Sequence, residues 1–170
     1  MSLDKALAFT LREEGGFVDD PRDSGGATNR GVTQRVYDTW RCQKGFAPRS
    51  VRLIGDDEVR RIYQERYWDA GRCGELGAAL GIIHFDWCVN HGIRGATATL
   101  QAAVGAEADG DWGPQTAAAV RRADDSAGAR YEELRRAWYR QRVAERPDQA
   151  GFLAGWLGRV DRLDRYVEQL

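Results

Sequence analysis

Residues 14–33 read EGGFVDDPRDSGGATNRGVT. A helical pattern runs into this stretch and stops there. Upstream, Leu3, Leu7 and Leu11 recur at helical spacing, which predicts a first helix over about 2–14. Gly15-Gly16 ends it as a C-terminal glycine pair does. The next residues, to about 32, are dense in Gly, Asp, Pro and Asn, which predicts a structured loop or short hairpin. Position 14 continues the leucine stripe, but with a carboxylate. A carboxyl at the core-facing end of an apolar stripe is expected to be partly desolvated, which favours the protonated form a general acid needs. The alternative is that Glu14 caps a neighbouring element or pairs with an Arg.

Downstream, Thr33 caps a predicted short helix through Trp40. Asp56 or Asp57 caps another, with Val59, Ile62, Tyr63, Arg66 and Tyr67 on its stripe. Residues 75–91 include LGAALGIIHFDWCVN, apolar on most sides and therefore placed at the centre of the core. A helix over 94–104 follows, then the turn ADGDWGPQT, where Pro114 suits the first turn of the next helix. Two further helical patterns are separated by Pro147-Asp148, with Asp148 as a cap. The expected fold class is mainly α, a single domain of 170 residues with a loop or hairpin region near residues 15–32.

Composition excludes several classes. The 25 Lys and Arg nearly balance the 26 Asp and Glu, so there is no basic footprint for nucleic acid. No apolar run approaches the ~18 residues of a membrane span. The first residues show no apolar signal-peptide core, so the expected route is cytoplasmic synthesis followed by another means of export. Cys42, Cys73 and Cys88 are odd in number and form no CxxC pair. They read as free, buried, hydrophobic thiols rather than a disulfide framework or zinc site. His84 and His91, seven apart, lack metal-site spacing, so no metal is expected. There is no GxSxG serine-hydrolase motif.

Glycoside hydrolysis pairs a carboxylic acid with a second group that activates water or stabilises the sugar cation. The loop offers Asp23 and Thr28, beside Gly25-Gly26, for that second part. Asp19 and Asp20 flank Pro21 and read as turn formers. Trp112, next to a glycine turn, suits stacking on a sugar face, or plugs the core. Asp86 and Asn90, four apart on one helix face, suit hydrogen bonding to sugar or peptide, or form a buried polar pair.

The stretch 14–33 closely resembles the N-terminal signature of glycoside hydrolase family 108, the N-acetylmuramidases related to phage endolysins. Further matches follow in order: IYQERYW at 62–68, FDWCVNHG at 85–92, LQAAVG at 100–105, DGDWGPQT at 109–116 and FLAGWLGRV at 152–160. The resemblance implies a lysozyme-like fold, a catalytic part over 1–73 and a helical, peptidoglycan-binding part over 74–170. It implies Glu14 as the catalytic glutamate and Asp23, nine residues on, as its partner. The family's Thr position falls on Asn29, with Thr28 one residue early, so both join the candidate site. No cofactor is implied. The implied partner is bacterial peptidoglycan, met by a monomer in the periplasm or wall after release through a holin. The rival reading is a catalytically weak wall-binding accessory of a secretion system.

Overall fold

The computed structural model describes residues 2–19 and 26–170. Helix α1 spans Ser2–Glu14 and buries Leu3, Ala6, Leu7, Phe9 and Thr10. It ends where Gly15 turns left-handed, at φ +72°. The chain returns as a hairpin. Strand β1 (Thr28–Asn29) pairs antiparallel with β2 (Val32–Thr33), in the register Thr28–Thr33 and Asn29–Val32. Arg30 and Gly31 between them both have positive φ (51° and 74°), the conformation of a tight two-residue hairpin turn. Val18 bridges to Thr28 through two 2.8 Å backbone hydrogen bonds, which ties the segment after α1 to the hairpin.

Thr33 caps α2 (Gln34–Gln43), its hydroxyl accepting from the Val36 amide as its sequence position predicts. Helix α3 spans Asp56–Tyr63, but its cap is Gly55, not Asp56 or Asp57. The Glu58 carboxylate accepts from the Gly55 amide at 3.0 Å. A π-helical turn, Gln64–Asp69, follows. That wider turn breaks the expected stripe. Arg66 is exposed, and Trp68 takes the buried place instead.

Helix α4 (Ala78–His91) is the central element, with every residue from Gly81 to Cys88 buried. It packs against α1, α5 (Ile93–Ala103), α7 (Ala127–Glu145) and α8 (Leu153–Glu168). Each large apolar side chain buried this way contributes on the order of 1.5–3 kcal/mol before the cost of ordering. Helix α6 (Pro114–Arg122) starts with Pro114 in its first turn, as expected. Asp148 does not cap α8. It lies in a 3-10 turn, Pro147–Phe152, that precedes it. The fold is mainly α, with one two-residue hairpin among the described residues. A single cluster of buried side chains runs from Leu3 to Leu163. No described helix is long and apolar enough to cross a membrane.

Candidate active site

Glu14 is the last residue of α1, its side chain 21 % exposed at the edge of the core. Its Oε1 accepts from Nη2 of Arg159 on α8 at 3.0 Å. Its other side faces the hairpin turn. A methyl group placed on Gly31 would lie 3.0 Å from Glu14 Oε2 and 2.3 Å from the Tyr63 hydroxyl. Glycine is therefore required there twice, for its positive φ and for its missing side chain. The Tyr63 hydroxyl donates to the Arg30 carbonyl at 2.9 Å, fixing the hairpin over the carboxylate. Burial, then the nearby Glu14 charge, push Tyr63's pKa well up, so it stays a neutral donor. The leucine stripe predicts a partly desolvated Glu14, with pairing to an Arg as the alternative. The structure shows the Arg pairing, a carboxyl anchored at one oxygen by Arg159, with no described residue donating to the other.

Arg159 is held from behind. Asp86, fully buried on α4, accepts from Arg159 Nη2 at 2.7 Å and from Arg135 Nη2 at 2.8 Å. Thr10 adds a hydroxyl at 3.2 Å. Burial opposes Asp86's charge, but Arg135 and Arg159 outweigh it and hold its carboxyl below the usual range. Burial likewise opposes the charge on Arg159, and Asp86 and then Glu14 reverse that, so its pKa is raised. The adjacent Glu13 takes Arg162 of α8 at 2.6 Å, so consecutive carboxylates on α1 are latched by two arginines three apart on α8.

Other expected site residues fall elsewhere. Asp86 cannot meet substrate, because it is enclosed and its oxygens are taken by two guanidiniums, a hydroxyl and, at 3.4 Å, the Asn90 amide, which makes these two the polar pair that the sequence offers as the alternative. Asn29 is also a structural group. It is buried, and its amide donates to the Val51 and Arg52 carbonyls at 3.2 and 3.3 Å, tying β1 to a 3-10 turn at Val51–Leu53. Asn90 is exposed at the end of α4, donating to the Asp86 carbonyl at 2.7 Å. Thr28 is half-buried in β1, its hydroxyl donating to the Gly26 carbonyl at 3.3 Å. Trp112 is half-buried beside a groove of about 460 Å³, and the Arg72 guanidinium lies 5.2 Å from its ring centre. Asp23 lies outside the described residues. Cys42 is exposed, against the buried position expected of it, while Cys73 and Cys88 are buried and free.

Arg159, Tyr63 and Gly31 are the residues of the candidate site that spacing alone misses. Each stood inside a quoted motif, but nothing local to those motifs says that they converge on Glu14.

The model of the family described as "Glycosyl hydrolase 108" matches residues 7–92, and that described as "Predicted Peptidoglycan domain" matches 95–161. No curated protein matches the chain. Among solved structures, "Structure of Brucella abortus SagA" superposes with a TM-score of 0.78 at 30% identity, covering 98% of this chain and 94% of that one. Glu14, the hairpin and the Tyr63 support all lie in the first matched region, and Arg159 in the second. The chain belongs to glycosyl hydrolase family 108 and is a glycoside hydrolase acting on peptidoglycan.

Proposed function

We propose that the enzyme is an N-acetylmuramidase, cleaving the β-1,4 bond between N-acetylmuramic acid and N-acetylglucosamine with Glu14 as general acid. The observation that carries this is the asymmetry of the Glu14 carboxyl, one oxygen fixed by Arg159 and the other, toward the Gly31 turn, without a described donor. A carboxyl oriented this way presents one oxygen to a glycosidic bond. Asp23 then stabilises positive charge on the sugar or orients the water. Thr28, whose hydroxyl proton is directed at Gly26, keeps lone pairs for that water. Asn90 and Trp112 are the exposed or half-exposed groups left to contact the glycan.

Purified cell walls supply the test. Wild-type protein should release fragments with new reducing N-acetylmuramic acid ends, identified by mass spectrometry. Glu14→Gln should lower that rate by about 10²–10⁴-fold while the protein stays folded. New N-acetylglucosamine ends would mean a different bond is cut. Wall binding without fragments would favour the accessory reading. Peptidoglycan as substrate supports action in the periplasm or wall; release through a holin in phage lysis, or a role in a secretion system, and a monomeric state belong to the same proposal. Lysis that depends on a co-expressed holin would favour the former.

A further inference from the structure

Away from Glu14, three metal-ligating side chains meet inside the core. Cys73 opens a 3-10 turn (Cys73–Glu75), and His84 and Cys88 lie one turn apart on α4. Their sulfur and ring-nitrogen atoms all lie within 4.8 Å of one another, and all three residues are buried. We propose that Cys73, His84 and Cys88 bind one Zn²⁺ ion that staples the segment after the π-turn to α4.

Four observations converge on this. First, Cys88 Sγ lies 3.5 Å from His84 Nε2. Tetrahedral zinc with Zn–S of ~2.3 Å and Zn–N of ~2.0–2.1 Å sets that edge at about 3.6 Å, so the pair is already spaced for the ion.

Second, the imidazole is oriented from behind. His84 Nδ1 lies 2.9 Å from the Tyr131 hydroxyl, which itself donates to the Ala96 carbonyl at 3.0 Å. When Nδ1 carries the ring hydrogen toward the Tyr131 oxygen, Nε2 presents its lone pair to the thiols. This is the outer support that zinc-bound histidines use. In that form Nε2 and the Gly71 carbonyl oxygen are two acceptors 3.0 Å apart, an arrangement that a cation bound by both would offset. The opposite tautomer, with Nε2–H donating to Gly71, describes the metal-free core.

Third, the backbone comes unusually close. A methyl on Gly71 would lie 2.8 Å from Cys88 Sγ and 3.3 Å from Cys73 Sγ. The Gly71 carbonyl oxygen, 3.0 Å from His84 Nε2, is then available for a fourth position.

Fourth, the chemistry selects the ion. Two thiolates and a neutral imidazole balance a divalent charge in a buried place, and sulfur ligands favour zinc over magnesium or calcium. Binding releases the two thiol protons to solvent.

The test uses the full chain, reduced with a non-thiol reagent, stripped with a chelator, and given Zn²⁺ or Co²⁺ alone. Stoichiometric binding is expected, with thiolate-to-cobalt charge-transfer absorption and a thermal midpoint that rises with Zn²⁺. Cys88→Ala should abolish the absorption and Cys42→Ala should leave it intact. Tyr131→Phe should weaken binding about 10–100-fold through loss of the outer hydrogen bond. Folded, reduced wild-type protein showing neither the absorption nor a zinc-dependent midpoint overturns the proposal. So does a cobalt spectrum that survives Cys88→Ala. Because the wild-type spectrum decides by itself, a variant that fails to fold does not blunt the test.

Discussion

At the scale of single residues, the Glu14 carboxyl is placed through a fully buried group. Asp86 positions Arg159, and Arg159 orients Glu14. Asp86→Asn would leave Arg135 and Arg159 facing a neutral amide inside the core. Breaking a buried pair from one side costs about 3–5 kcal/mol, so a large drop in the melting temperature is expected. Arg159→Lys should behave differently. A lysine keeps the charge but has no planar fork, so it cannot hold Asp86 and Glu14 together. The expected result is a smaller stability loss with a clear fall in kcat on cell walls. Equal losses of kcat and midpoint in both variants would reduce Arg159 to a packing residue. This buried relay was the least legible part of the site. Asp86 sits on a helix that is apolar nearly all round, so no polar face marks where it points. Its partners are 49 and 73 residues away, and no local periodicity encodes them.

At the scale of elements, the parts with local chemical signals were readable. Gly15 ending α1, Thr33 capping α2, Pro114 opening α6 and the apolar run of α4 all stand where their residue types predict. The π-turn at Gln64–Asp69 was not readable, because an inserted residue in a helical repeat changes no residue type. The hairpin was expected as a region, but its contact with Glu14 appears only in three dimensions. Gly31→Ala tests that contact. The left-handed backbone costs about 1–2 kcal/mol for a non-glycine residue. The added methyl also meets the Tyr63 hydroxyl and the Glu14 carboxyl. A displacement of about 1 Å at such a site can cost on the order of 10²-fold in rate. Activity should therefore fall far more than the modest midpoint change implies. Wild-type turnover in Gly31→Ala would show that the hairpin does not set the acid's geometry.

At the scale of the whole molecule, the two matched regions share one core. Asp86 and Arg135 belong to different regions and meet at its centre. The relay continues to Glu132, 1% exposed, which approaches Arg135 only at 3.3 Å and leaves Oε2 without a hydrogen bond. Burial pushes Glu132's carboxyl up, to about 8, against the opposing pull of Arg135. The folded state thus holds a proton that the unfolded chain releases near the ordinary value of 4.5. This contribution is fully present below about 4.5 and is lost as pH rises through about 8. Its size is on the order of a few kcal/mol. Glu132→Gln, neutral at every pH, should remove that decline and raise the midpoint at pH 8. An unchanged pH–stability curve in Glu132→Gln would mean the carboxylate is accommodated by Arg135 after all.

The latch between α1 and α8 has a kinetic consequence. Glu14 and Arg159 are 145 residues apart, so their pairing closes one of the longest loops in the chain. Loop-closure entropy delays such contacts relative to hairpins and neighbouring helices. During refolding from denaturant, fluorescence from Trp87 on α4, packed edge-on against Trp138 of α7 with ring centres 5.4 Å apart, can recover while the carboxyl is still unanchored. Peptidoglycan hydrolysis should return only with the slowest phase, making it a reporter of the final docking event rather than of collapse.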